Sequence, residues 1–316
     1  MLTALMILGG IAIAYAVVDW IDDDDDNDNH GDPQGEMVIG GSADDLLNGT
    51  DNADTINGEG GDDTLNGGAG DDSIDGGAGD DSIEGGTGDD AIISGDGADI
   101  VRAGNGDDFV NGQAGNDVLR GGDGHDELRG GTGDDDIEGG ANEDSLRGGN
   151  GDDTLLGQQG DDTIEGGTGE DVIKGGHGND VLYGIEDGTD DDMWGPTDEP
   201  DADTLKGGDG DDMLYLGTGD QAEGGEGEDT FVIGPWVAEF TSPWISDYNG
   251  AEDQLMVLAP VGDGGEVSVA EDPDNAGVAL VLYADKIIAR VEGGFPDLSA
   301  EDIEVVESES VMAVGS

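Results

Sequence analysis

Between Gly40 and Tyr183 one nine-residue unit is written sixteen times without a gap, and this leaves the chain few folds to choose from. A clean copy reads Gly67-Gly68-Ala69-Gly70-Asp71-Asp72-Ser73-Ile74-Asp75. The sixth position is Asp in all sixteen copies, from Asp45 to Asp180. The eighth is Leu, Ile or Val in all sixteen, from Leu47 to Leu182. The first is Gly in fourteen, with Ser94 and Ala103 as the exceptions.

The three columns have different physical causes. A fixed aliphatic flanked by variable residues reads as a three-residue strand with one inward side chain. Glycines at positions one, two and four read as a turn that needs positive φ and close backbone approach. An Asp fixed at the turn-to-strand junction has no packing reason to be there. Ligation of a hard cation supplies one, because calcium takes six to eight oxygens from carboxylates and carbonyls.

Through these columns the sequence resembles the RTX, or haemolysin-type, calcium-binding nonapeptide repeat family. The resemblance implies an all-β fold, a right-handed parallel β-roll in which two nonapeptides make one coil. It also implies calcium ions, many per chain, between turns eighteen residues apart, such as those holding Asp72 and Asp90. The ligands would be turn carbonyls and the position-six carboxylates. On this chain those are Asp63, Asp72, Asp81, Asp90, Asp99, Asp108, Asp117, Asp126, Asp135, Asp144, Asp153, Asp162, Asp171 and Asp180, followed by Asp203, Asp212 and Asp229 in the later copies. The first two copies are degenerate, with Ala43 at the fourth position of one and Thr50, Asn52 and Ala53 in the other. End repeats of a solenoid commonly depart from the pattern, so weak or absent cation sites are expected there.

Composition alone points elsewhere. A net charge of -72 with 4% aromatics is that of a disordered acidic linker. A linker has no reason to place an aliphatic residue at every ninth position, so the two readings combine into one: disordered without calcium, folded with it. The same charge makes nucleic acid and anionic membrane surfaces poor partners. With no Cys there is neither a disulfide framework nor a thiolate metal site.

Four regions follow. Residues 1–21 are a hydrophobic segment, uncharged from Leu2 to Val18. It reads as a helix that either anchors the chain in a membrane through residues 2–21, serves as a signal peptide with a cleavage site after Ala16, or is buried. Residues 22–39 form an acidic linker opened by the run Asp22 to Asp26. Residues 40–232 are the roll, with an acidic insertion at 185–200. In the shortened copy Leu216 to Glu223, Gln221 falls near the Asp position and makes a site doubtful.

Residues 233–316 read as a small C-terminal β domain capping the roll. Short strands are expected at 244–248, 254–258, 266–269, 278–283, 287–291 and 303–306, with a helical turn capped by Ser299 and Asp302. The stretch from Ile245 to Leu255 resembles the region that follows the repeats in many RTX proteins. There it leads to a signal for type I secretion, for which the acidic tail 307–316 is suited.

On the outward ninth position, Glu84 is expected to meet Arg102, Arg120 to meet Glu138, and Arg147 to meet Glu165. No catalytic constellation is visible, and the carboxylate pairs sit in columns that calcium explains. The expected function is therefore non-enzymatic calcium binding at the cell surface or in the extracellular space. Adhesion, surface-layer assembly and calcium storage are the candidate roles, with a protein or polysaccharide partner unidentified. The competing reading is a secreted toxin or hydrolase accessory with activity in the C-terminal domain.

Overall fold

The computed structural model describes residues 35–185, 202–234, 241–259, 265–294 and 298–307, together with 237 and 296. The hydrophobic segment 1–21, the linker up to residue 34, residues 186–200 of the insertion with the following 201, and the tail from 308 lie outside these. The chain divides into two compact units, Met1–Ser145 and Leu146–Ser316.

The first unit is a parallel β-roll. Successive strands alternate between two sheets, so each pairs with the strand eighteen residues on. One sheet runs through Met37–Gly41, Thr55–Glu59, Ser73–Ala78, Ala91–Asp96, Phe109–Ala114 and Glu127–Thr132. The other runs through Leu46–Asn48, Thr64–Ala69, Ser82–Thr87, Ile100–Asn105, Val118–Asp123 and Asp136–Ala141. The register follows the repeat: Ile74 faces Ile92 and Ile92 faces Val110, all parallel. The aliphatic column thus forms an interior stripe, and Leu47, Ile83, Val110 and Ile137 are wholly buried.

Two details differ from the sequence reading. Most strands are six residues long rather than three, because the glycine pair continues the ladder: Gly77 faces Gly95 as Ile74 faces Ile92. The roll also begins before the first repeat. Met37 to Ile39, assigned above to the linker, pair with Thr55 to Asn57, and Val38 enters the aliphatic column opposite Ile56.

In the second unit the roll continues across the insertion without loss of register. Val172–His177 pairs with Thr204–Asp209, and Val181–Gly184 with Met213–Leu216. The strands expected after residue 233 form close to where the alternation placed them. They do not make a separate sheet. Gln254–Ala259 adds in parallel to Thr230–Ile233, and Ile303–Glu307 adds in parallel to Gln254–Ala259. Trp244–Ile245 extends the other sheet from Gln221–Glu226 and leads to Lys286–Val291. Only then does the pairing turn antiparallel, through Ala279–Tyr283 to Val267–Glu271. Phe231 fills the aliphatic column with a buried ring tilted against Tyr248.

A 3-10 turn at Ala300–Asp302 follows Ser299, whose N–H and hydroxyl both donate to the Asp302 carboxylate at 2.8 and 2.6 Å. No helix among the described residues is long and apolar enough to cross a membrane.

Candidate metal centre

Every position-six Asp is drawn inside. Asp63, Asp72, Asp81, Asp90, Asp99, Asp108, Asp117 and Asp126 are each 1–3% exposed, and Asp135, Asp144, Asp153, Asp162, Asp171, Asp180, Asp203, Asp212 and Asp229 are buried likewise. One oxygen of each pair is explained by the backbone. Asp72 N–H donates to Asp90 Oδ1 at 2.8 Å, and Asp90 N–H donates to Asp108 Oδ1 at 2.7 Å. In the second unit Asp153 N–H donates to Asp171 Oδ1 and Asp162 N–H to Asp180 Oδ1. The ladder also spans the insertion, where Asp171 N–H reaches Asp203 Oδ1.

The second oxygen is the feature that hydrogen bonding leaves unexplained. In Asp63, Asp72, Asp81, Asp90, Asp108, Asp117, Asp126, Asp180 and Asp212, Oδ2 is buried and accepts no hydrogen bond. Buried polar atoms are normally paired, and an ionised one without a partner is costly. The carboxyls respond accordingly. Burial pushes Asp81, Asp90, Asp117 and Asp212 up to about 7. It pushes Asp108, Asp126, Asp135, Asp180 and Asp229 up to about 6. The N–H bond from the preceding coil opposes this, and neighbouring carboxylates of the column add to it in most cases.

Position one explains why a glycine is wanted beside this oxygen. A Cβ placed on Gly85 would stand 2.5 Å from both Asp90 Oδ2 and the Ala103 carbonyl oxygen. The carboxylate and a backbone carbonyl of the next coil therefore face the same space. Among the described residues no three His, Cys, Asp or Glu side chains converge as a metal-holding group. The donor set here is one carboxylate oxygen per turn plus carbonyls, which suits a hard, oxygen-seeking cation and no thiophilic one.

Position two carries a steric demand of its own. Gly77 has φ +105°, and a Cβ there would run into the Glu59 carbonyl, with its carbon at 2.8 Å. Gly77→Ala is expected to destabilise the folded roll by about 1–3 kcal/mol from backbone strain alone. Thermal melts in saturating calcium would show the loss.

The family follows from one further comparison. The model of the RTX calcium-binding nonapeptide repeat matches nine stretches that together cover 30–184 and 199–220, more than half of the chain. The chain belongs to this family. No curated protein matches it. Among solved structures, it is similar to the extracellular lipase LipA from Serratia marcescens, with 15% identity over 55% of this chain and a TM-score of 0.22. The chain spans 40% of that lipase.

Within the RTX roll four described carboxylates have Oδ2 taken by a nearby backbone N–H. Asp45 Oδ2 accepts Gly41 N–H, Asp54 Oδ2 accepts Thr50 N–H, Asp220 Oδ2 accepts Gly217 N–H, and Asp253 Oδ2 accepts Asn249 N–H. Asp45 and Asp54 belong to the two degenerate copies. Asp220 and Asp253 were not read from the sequence. The shortened copy places Asp220, not Gln221, in the Asp column, where its Oδ1 accepts Asp203 N–H, and Ala222 takes the aliphatic place opposite Leu205. Asp253 carries the other column past the repeats by accepting Asp229 N–H. The signal was the Asp253-Gln254-Leu255 triplet, the end of a repeat without its glycines.

The fifth position also has structure. Asp107 N–H donates to Asp89 Oδ1 at 3.0 Å, and Asp80 N–H to Asp62 Oδ1 at 3.1 Å. This exposed ladder runs opposite in sense to the buried one. Of the outward ion pairs expected, Arg120 meets Glu138 at 3.1 Å and Arg147 meets Glu165 at 3.6 Å. Glu84 and Arg102 are register neighbours without an ion pair, since both side chains are exposed and solvated.

Proposed function

We propose that this chain is a non-enzymatic calcium-binding protein of the cell surface or extracellular space whose roll folds as its turns fill. The observation that carries this is the row of buried Asp Oδ2 atoms that accept no hydrogen bond. Bound calcium supplies the positive charge that these carboxylates need in order to stay ionised inside. Asp63, Asp72, Asp81, Asp90, Asp108, Asp117, Asp126, Asp180 and Asp212 would hold it, each through the oxygen the backbone leaves over. Asp99, Asp135, Asp144, Asp153, Asp162, Asp171, Asp203 and Asp229 stand in the same columns. Asp45, Asp54, Asp220 and Asp253, with Oδ2 turned to a nearby N–H, take no part.

Where calcium is scarce, as inside a cell, the acidic chain stays unfolded and fit for export. Outside, the roll condenses. A surface set by calcium in this way serves adhesion, surface-layer assembly or calcium storage.

The test compares adjacent aspartates. Removing a hydrogen-bond partner behind a metal ligand costs about 10–100-fold in affinity, so removing the ligand itself costs at least about tenfold. Asp90→Ala and Asp108→Ala are each expected to weaken calcium binding by on the order of tenfold at the affected turns and to flatten the titration. Asp89→Ala, which loses one exposed hydrogen bond, is expected to change affinity little. Equal losses in all three would mean that bulk charge, rather than ligation, attracts the ion.

A further inference from the structure

Position one faces the space between a buried carboxylate oxygen and a carbonyl of the next coil, and at Gly85 nothing of its own side chain fills it. Ser94 is the one copy that puts a polar side chain there. It is fully buried, and its Oγ donates to the carbonyl oxygen of Gly112 at 3.0 Å. That carbonyl is the counterpart, one repeat on, of the Ala103 carbonyl that faces Asp90 Oδ2 across Gly85. The hydroxyl therefore engages the backbone oxygen that in the glycine turns faces the carboxylate across open space. Ala103 fills the same place in the other sheet with a methyl group, which hydrogen-bonds to nothing, and Asp108 Oδ2 beside it accepts no hydrogen bond.

We propose that Ser94 closes one rung of the cation row, so that its turn carries one calcium ion fewer than the glycine turns around it. A cation in such a turn needs six or more oxygens at 2.3–2.6 Å, drawn from few carboxylates and many carbonyls. A side chain that occupies the space and claims one of those carbonyls removes both room and a ligand. The hydrogen bond to Gly112 gives the rung a calcium-free link between coils. The row then has a fixed interruption within the first unit, set by one residue.

This inference rests on the calcium reading above, and its test separates the two. Native mass spectrometry of the full chain in saturating calcium counts the ions held. Ser94→Gly is expected to hold one ion more than the wild type. The reciprocal Gly85→Ser is expected to hold one ion fewer. An unchanged or lower count for Ser94→Gly, with the wild type still loading calcium, overturns the closed rung and leaves the calcium reading standing. A wild type that holds no calcium overturns the calcium reading itself.

Discussion

Calcium added to the chelator-treated full chain is expected to convert it from coil to β structure in one cooperative step. The balance of forces without calcium is unfavourable. Each nine-residue repeat buries one aliphatic side chain, and the backbone entropy of ordering nine residues outweighs that gain. Position-six carboxylates such as Asp72, Asp90 and Asp108 add a second cost, because charge is drawn inside with one oxygen unpaired. Coils eighteen residues apart share these carboxylates through the N–H ladder, so filling one turn orders the next. Extracellular calcium modules fill at about 10⁻⁴–10⁻³ M, so far-UV circular dichroism from chelator to about 10 mM calcium spans the transition. Magnesium at the same concentration is expected to do little, because it demands a tight octahedron and keeps its waters. At a pH of about 8, above the range in which the buried carboxyls hold protons, a chain with full β signal in chelator, or an equal response to magnesium, would remove the folding switch.

The parts of this fold that the sequence disclosed are those fixed by repetition. Ile74, Ile92 and Val110 had to stack because only an eighteen-residue period brings an aliphatic column inside, and Asp72, Asp90 and Asp108 had to follow at the same spacing. The parts that escaped are those where the period breaks while the physical role persists. Asp220 was hidden because its copy lacks one residue, so counting by nines landed on Gln221. Asp253 was hidden because the glycines before it are gone, although its N–H partner, Asp229, lies one coil back.

The C-terminal strands looked like a separate cap because their alternation resembles that of any small β domain. Parallel addition of Gln254–Ala259 to Thr230–Ile233 is a long-range pairing that no local pattern announces. The self-satisfied carboxylates of Asp45 and Asp54 were foreseeable only in outline. The missing glycines pointed to altered turns, while the N–H that replaces the cation is a matter of geometry.

Acid is expected to do part of what calcium does. In the calcium-free folded chain, burial raises the carboxyls of Asp81, Asp90, Asp117 and Asp212 to about 7 and those of Asp108, Asp126 and Asp180 to about 6, against 3.8 for an unperturbed Asp. Between 3.8 and about 7 the folded state therefore binds protons that the unfolded state does not. Stability must fall as pH rises through that window, because the unfolded state is the one with fewer bound protons. In chelator, β content is expected to be high near pH 5 and to be lost with a midpoint near 6 to 7. The bulk of the acidic surface predicts a fall of the same sign but at a different place, since solvated carboxylates titrate near 4. The midpoint thus tells the buried column from general repulsion. With calcium present the dependence reverses: protons compete with the ion, so affinity falls below pH about 6, and binding at about pH 5 to 6, where the calcium-free chain is folded and these carboxyls hold protons, releases protons into the medium. Titration of the chelated chain between pH 5 and 8, followed by circular dichroism, and proton release on calcium addition in weak buffer, check both arms. A chelated chain whose β content is flat or rises with pH across that range would show that these aspartates are not buried as free acids in the absence of calcium.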